Sequence, residues 1–174
     1  HSHISQVVEA DLIEVHNSHP LVNNLGAPGR PGSEDIWDRV LSSGKIIFGT
    51  ATDDSHNYHD WLPHLSNPGR GWVMVSANDL SIDGIVSALA DGHFYSSTGV
   101  TIFSYFYDDI EIKIEIQEEY DFIYKTVFSG KNGDILAQTS GPYASYRITG
   151  LETYVRVTIY SSSGGKAWTQ PIFV

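Results

Sequence analysis

The chain has no cysteine, one methionine, and 10 basic residues against 21 acidic ones among its 174 residues. Without cysteine it can form no disulfide, no thiolate metal site and no thiol nucleophile. The formal net charge of −11, with histidine neutral, argues against non-specific nucleic-acid binding, which depends on Lys and Arg that neutralise phosphates. The same charge argues against binding to an anionic membrane surface.

Long apolar runs and several familiar motifs are also absent. No stretch is long enough to span a bilayer, and no signal peptide is visible. There is no phosphate- or dinucleotide-binding glycine motif and no Gly-x-Ser-x-Gly elbow. Because the chain begins with His1 and enters a strand-like run at Asp11, we expect it to be a portion of a longer protein. The missing signal peptide then decides nothing about the compartment.

Strand-like and helix-like segments alternate up to about residue 100. One predicted helix starts at Ser33 as N-cap and ends at Gly44, and a second starts at Ser81 and ends at Gly92. The predicted strands around them are residues 12–16, 45–51, 72–75 and 94–98. Strands that alternate with helices predict a parallel α/β arrangement with the helices packed outside.

The pattern changes after about residue 109. Isoleucines at alternate positions from Ile110 to Ile116 predict an amphipathic strand, and Asn132-Gly133 predicts a tight turn. Further strands are predicted at residues 122–128, 144–149, 154–160 and 168–174. Short strands separated by turns favour a small β-sandwich. The predicted fold class is therefore α/β plus all-β, with one domain at residues 1–108 and a second at 109–174.

Asp54-Ser55-His56 is the most informative motif. It follows the apolar run at residues 45–48, so the carboxylate and the imidazole are expected at the carboxyl end of a strand, where β/α barrels carry their chemistry. Carboxylate and imidazole together suit zinc, manganese or iron. We predict Asp54 and His56 as metal ligands for metal-assisted hydrolysis. The alternative is a loop cap, in which Asp54 accepts backbone amides and His56 fills space.

A second polar edge follows the first strand. In residues 12–16, side chains of Glu14 and His16 are expected on one face, and Asn17 and His19 extend that polar edge. We predict catalytic roles for Glu14 and His16 and substrate contacts for Asn17 and His19. The alternative is a solvated loop with an incidental acid.

The loop at residues 56–71 adds two candidates. His59 lies three residues after His56 and is predicted on the substrate side. Arg70 could receive a phosphate, because a guanidinium group matches phosphate oxygens bidentately. The alternatives are that His59 is a bystander in a soluble loop and that Arg70 is an exposed turn arginine. Asp53 is expected to face away from Asp54 and to orient the ligating histidine.

Several motifs in order resemble the C-terminal half of a PHP domain (polymerase and histidinol phosphatase family), over roughly residues 11–105. The first is Ile13-Glu14-Val15-His16-Asn17, which is similar to an IEVYN segment of the family. The others are Trp37-Asp38 with residues 41–45, then residues 49–56, 69–75 and 92–99. Their order and spacing are more specific than any one of them.

The resemblance implies a distorted β/α barrel that is only partly present, followed by a β-sandwich accessory module. It also implies a multinuclear cluster of divalent transition metals (zinc, manganese or iron) and hydrolysis of phosphoester substrates. The family's last metal motif, Asp-x-His, falls on Asp54 and His56. Its early His-x-His motif and intermediate ligands are missing, unless His1 and His3 are a remnant. The resemblance therefore implies a missing N-terminal half of the same protein.

Two other functions remain open. The C-terminal part could be a non-catalytic module that binds carbohydrate or protein. Its aromatic residues would then form a binding face rather than a core: Tyr143, Tyr146, Tyr154, Tyr160 and Trp168. The chain could also be an inactive PHP scaffold with a structural or regulatory role.

Overall fold

The structure is a computed structural model that describes residues 10–174. Within these residues, antiparallel strands predominate and two α-helices lie in the first half of the chain. The helices are α1 (Ser33–Ser42) and α2 (Ile82–Ala90). The strands are β1 (Leu12–Asn17), β2 (Phe48–Thr52), β3 (Trp72–Val75), β4 (Phe94–Ser97), β5 (Ile102–Tyr107), β6 (Glu111–Ile116), β7 (Tyr124–Ser129), β8 (Ile135–Ser140), β9 (Tyr143–Arg147), β10 (Tyr154–Ser161), β11 (Lys166–Thr169) and β12 (Ile172–Phe173).

Both predicted helices form, with one change at the start of α1. Its N-cap is Gly32 rather than Ser33, and the side chain of Asp35 accepts a hydrogen bond from the Gly32 backbone N–H at 3.0 Å. The N-cap of α2 is Ser81 as predicted, since its hydroxyl accepts from the backbone N–H of Gly84. A carboxylate and a hydroxyl thus satisfy N–H groups that the first turn of a helix leaves unpaired.

The strands form three sheets. A seven-stranded central sheet has the order β3-β4-β11-β10-β7-β8, with β12 also paired to β10, and a three-stranded sheet has the order β5-β6-β9. Every pairing in these two sheets is antiparallel. The third sheet is the parallel pair β1-β2.

The predicted partial β/α barrel is wrong. Within residues 10–174 only β1 and β2 pair in parallel, and β3 and β4 are antiparallel neighbours although α2 lies between them in sequence. Hydrophobic periodicity identified these elements, but it contains no information on strand direction. Ile82 and Val86 of α2 stay exposed, so α2 covers little of the sheet. It does not pack on the sheet as the connecting helix of a β/α unit would.

Two hydrophobic cores lie on opposite faces of the central sheet. The strict alternation of β10 divides its side chains between them. Val155, Val157 and Ile159 face the three-stranded sheet and pack with Ile112 and Ile114. On the other face, Tyr154 of β10 and Trp168 of β11 pack with Val15 of β1 and with Trp37 and Leu41 of α1. The molecule therefore has three layers, of which the two sheets resemble a β-sandwich.

Two strands of the structure were not predicted from the sequence. These are β5 and β8, although turn residues flank both in the sequence. Strands β3 and β4 precede residue 108, yet β4 pairs with β11, so the central sheet crosses the predicted domain boundary. The boundary itself stays a prediction.

Asn132-Gly133 forms the predicted turn between β7 and β8, with φ of 59° and 80°. In the described part of the chain, no helix is long and apolar enough to cross a membrane.

A buried ion pair joins the α1 layer to the central sheet. Arg156 of β10 donates from Nε and Nη2 to the two carboxylate oxygens of Asp38, at 2.7 and 2.6 Å. The Tyr154 hydroxyl also donates to Asp38, at 2.8 Å, and the guanidinium lies 4.9 Å from the centre of the Trp37 ring. Burial alone would lower the pKa of Arg156, but the hydrogen bonds and charge of Asp38 raise it, so the guanidinium keeps its charge.

Candidate functional site

The parallel strands β1 and β2 end side by side and bring polar groups together. Asn17 is paired with Thr52 at these ends. The side-chain amide of Asn17 donates from Nδ2 to Glu14 Oε2 and to Asp54 Oδ2, both at 3.2 Å. The Thr52 hydroxyl donates to the other oxygen of Glu14. Two carboxylates from different segments therefore share one amide group.

Two imidazoles lie on the same rim. Nε2 of His56 is 3.8 Å from Asp54 Oδ1, and the rings of His19 and His56 meet edge to face with centroids 5.7 Å apart. The backbone N–H of His19 donates to Asn17 Oδ1 at 2.8 Å, which turns the amide nitrogen of Asn17 toward the carboxylates. We call Glu14, Asn17, His19, Asp54 and His56 the rim cluster.

The rim cluster is open to solvent and includes a strained backbone position. The side chains of His56 and Asp54 are 63% and 40% exposed. Asp54 has φ of 47°, a left-handed conformation that few residues other than glycine adopt, although Asp tolerates it better than most. The Ser66 hydroxyl donates to the Asp54 carbonyl and holds this turn. Strain of this kind is concentrated at functional sites.

Asp53 anchors the loop that presents Asp54 and His56. Its carboxylate accepts from the backbone N–H groups of Gly69, Arg70 and Gly71 at 2.9, 2.6 and 2.7 Å. A side chain at Gly71 would meet the Thr52 carbonyl oxygen at 2.5 Å, so only glycine permits this close approach. Asp53 thus faces away from Asp54, as expected, and orients the loop through its backbone rather than through the histidine ring.

Arg70 and His59 lie apart from the rim cluster. The guanidinium of Arg70 donates to the carbonyls of Leu62 and Pro63 and to the side chain of Asn67, at 3.0 to 3.3 Å. It therefore closes the loop. His59 is exposed, and no contact among the described residues joins it to the cluster. The substrate roles assigned to both residues stay predictions, without support from their surroundings.

His16 is separated from Glu14. The register of β1 against β2 shifts between these two residues, and the bulge disrupts the alternation that had placed them together. The His16 ring stacks on Trp168 with centroids 5.3 Å apart and lines a cavity of about 700 Å³ between α1 and the central sheet. Burial, and after it the charge of Lys166, lowers the pKa of His16, against the smaller effects of Glu34 and Glu14.

The donor chemistry of Asp54 and His56 fits a divalent transition metal. With bonds of about 2.1 Å, ligand atoms of tetrahedral zinc lie about 3.4 Å apart, close to the 3.8 Å found between Oδ1 of Asp54 and Nε2 of His56. Residues 10–174 contain no group of three or more His, Asp or Glu side chains placed to hold a metal. His1 and His3 lie outside the described residues. Residues 10–174 thus provide two candidate ligands, Asp54 and His56.

The aromatic face considered for carbohydrate binding is not assembled. Tyr154 and Trp168 are buried in the core around α1, and Tyr146 and Tyr160 are partly buried. Of the five aromatic residues, Tyr143 is exposed, at 66%. These residues therefore serve mainly in packing.

Sequence reasoning missed two residues that hold the site in place. Asn24 accepts from the backbone N–H of Asn17 and donates to its carbonyl, both at 2.8 Å, and so holds the end of β1. Ser66 supports the Asp54 turn from twelve residues away. Neither residue stands in a recognisable motif, because each acts through backbone groups of a different segment.

Comparisons with known proteins give no relative. No family model matches the chain, and neither a curated protein nor a solved structure matches it. Membership of the PHP family therefore stays a prediction that rests on the sequence motifs.

Proposed function

We propose that the rim cluster forms part of a metal-dependent phosphoester hydrolase of the PHP kind, with Asp54 and His56 as ligands of a divalent transition metal. The observation that carries the proposal is the meeting of two carboxylates and two imidazoles at the ends of two parallel strands. Zinc, manganese and iron all accept this combination of oxygen and nitrogen donors.

The charge balance of the cluster supports a cation. Within residues 10–174, neither Glu14 nor Asp54 forms an ion pair with a lysine or arginine. The Asn17 amide provides only a partial positive charge between the two carboxylates. Negative groups arranged in this way favour binding of a divalent cation, which would then be the largest charge in the site.

The residues of the chain would have separate roles. A bound metal would supply an activated water and polarise the phosphoryl oxygens. Glu14, held by Thr52 and Asn17, is placed to accept a proton or a hydrogen bond at the rim. His19 faces His56 and can donate to a phosphoryl oxygen. A multinuclear centre needs further ligands, which would come from outside residues 10–174 or from an associated polypeptide.

The test compares D54N and H56Q with matched variants in the same loop, in the protein as isolated with any polypeptide that co-purifies. Asn preserves the left-handed turn at Asp54, so D54N removes the charge with little change of backbone. D60N and H64Q are the controls, because both side chains are exposed and lie outside the rim cluster. Metal content and hydrolysis of a phosphomonoester are measured for all four.

We expect D54N and H56Q to lose bound metal and at least about a hundredfold in turnover, while D60N and H64Q keep both. Undiminished metal and activity in D54N and H56Q would contradict the proposal. Metal that depends on Asp54 without any turnover in the wild type would instead favour the inactive scaffold.

A further inference from the structure

The cavity beside His16 is a second polar site, distinct from the rim cluster. It has a volume of about 700 Å³ and lies between α1, β1 and the α1-facing side of the central sheet. Pockets of this size are typical of small-molecule sites. Its basic and hydroxyl side chains are His16, Lys125, Ser129, Arg156, Thr158, Tyr160 and Lys166. We call this cavity the basic cleft.

Three of these residues form one row across the sheet. Tyr160 of β10 is paired with Lys125 of β7 on one side and with Lys166 of β11 on the other. Directly paired residues of antiparallel strands project from the same face. The two lysines therefore flank the tyrosine ring, and Nζ of Lys166 lies 4.9 Å from its centre.

The cleft is lined by three Lys or Arg and three acidic side chains, and one of the Lys or Arg side chains has no ion-pair partner among residues 10–174. The chain has 10 Lys and Arg residues and a net charge of −11, yet Lys125, Arg156 and Lys166 line this one cavity. Asp38 neutralises Arg156, and Glu34 lies 3.6 Å from Lys166. The third acid, Asp35, accepts the backbone N–H of Gly32. Within the described residues, Lys125 has no ion-pair partner.

The Tyr160 hydroxyl is a free hydrogen-bond donor on the residue that is paired with both lysines. No hydrogen bond among residues 10–174 involves the Tyr160 hydroxyl, although the residue is partly buried. Burial and the nearby Glu34 raise the pKa of Tyr160, so the hydroxyl keeps its proton. The ammonium groups of the two neighbouring lysines and a protonated hydroxyl are donors of the kind that an oxyanion accepts.

We propose that the basic cleft binds a small ligand through an oxyanionic group, which is held between Lys125 and Lys166 and accepts a hydrogen bond from the Tyr160 hydroxyl. The group is a phosphate or a carboxylate, since both present oxygens to ammonium and hydroxyl donors. The site is independent of the proposed hydrolase function, because it shares no residue with the rim cluster.

The test is a titration of the full chain with inorganic phosphate and, separately, with acetate, each against sodium chloride at equal ionic strength. NMR signals of the Trp168 indole N–H and of the backbone amides of residues 125, 160 and 166 report on the cleft. We expect saturable shifts with at least one oxyanion and not with chloride. Binding to phosphate alone, or to acetate alone, identifies which oxyanion the cleft accepts.

Variants locate the binding. K125Q and K166Q should each weaken the affinity about tenfold, because each removes one charge-assisted contact. K113Q is the matched control, since Lys113 is exposed and pairs with Glu111 on the three-stranded sheet. Shifts that also occur with chloride, or that K125Q and K166Q leave unchanged, would overturn the proposal.

D54N distinguishes the two sites. It should leave oxyanion binding unchanged even if it abolishes metal binding. A loss of the oxyanion shifts in D54N would place the anion at the rim cluster and so contradict a separate site in the cleft.

Discussion

The rim cluster and the buried ion pair both contain carboxylates, but they satisfy them in opposite ways. Asp38 and Arg156 are 5% and 4% exposed, and each oxygen of Asp38 has a close donor. Asp54 and Glu14 share the Asn17 amide, Glu14 also accepts from the Thr52 hydroxyl, and both carboxylates stay exposed without a lysine or arginine partner among residues 10–174. A buried charge has to be paired to persist, whereas an exposed one can remain available to a ligand. The lack of a lysine or arginine partner therefore supports the proposal that the rim cluster is the functional site, whereas the Asp38 centre is structural.

Removal of Arg156 should have the largest effect on stability. R156M leaves Asp38 as an uncompensated charge in the core, so we expect the free energy of unfolding to fall by about 3–5 kcal/mol. Urea denaturation measures the change. R147M is the control, because Arg147 is exposed on β9, and it should change stability by less than about 0.5 kcal/mol.

A double variant sharpens this test. D38L/R156M removes both charges, so it should be more stable than R156M alone, since no buried charge remains unpaired. If the single and the double variant lose equal stability, the loss arises from packing and the contrast with the rim cluster fails.

Asp53 should have an intermediate effect. D53A leaves three backbone N–H groups of residues 69–71 without their acceptor, and we expect a loss of about 1–2 kcal/mol because these groups are partly exposed. Hydrogen exchange at Gly69 and Gly71 should accelerate in D53A. D60A should leave both exchange rates unchanged, and equal acceleration in D60A would argue against a specific anchor.

Glu152 should give the smallest effect, visible as pH dependence. Its burial would raise the pKa, but hydrogen bonds from Tyr146 and Thr149 outweigh this and lower the pKa of Glu152 to about 2. The folded state therefore binds the proton less tightly than the unfolded state, whose value is 4.5. The stability from Glu152 is present above about pH 4.5 and is lost as the pH falls toward 2.

E152Q tests this directly. The difference in unfolding free energy between wild type and E152Q should shrink as the pH falls from 5 to 2. E118Q, at an exposed glutamate, should show a difference that does not change with pH. A constant difference for E152Q would contradict the role of its hydrogen bonds.

Local patterns predicted most elements of the fold. The alternation of Ile112, Ile114 and Ile116 identified β6, and Asn132-Gly133 identified the turn between β7 and β8. The direction of β4 could not be predicted from local sequence patterns, because it depends on pairing with β11, which is distant in sequence. Long-range pairing also explains the wrong barrel prediction.

The candidate site was predicted in part. Asp54 and His56 were expected at the carboxyl end of one strand, and Glu14 and Asn17 on the polar edge of another. The structure brings the four residues together. Because of the bulge after Glu14, His16 stacks on Trp168 and lies in the basic cleft, not in the rim cluster. Strict alternation cannot anticipate such a bulge, and the loop carbonyls that engage Arg70 have no signature in sequence.

The most direct measurement is the binding of Co²⁺ to the chain, followed by visible absorption, in wild type, H56Q and H64Q. If Asp54 and His56 are metal ligands, wild type and H64Q should bind with equal affinity, and H56Q should bind at least about tenfold more weakly. Equal affinity in wild type and H56Q, or an equal loss in H64Q, would contradict a metal site at the rim cluster.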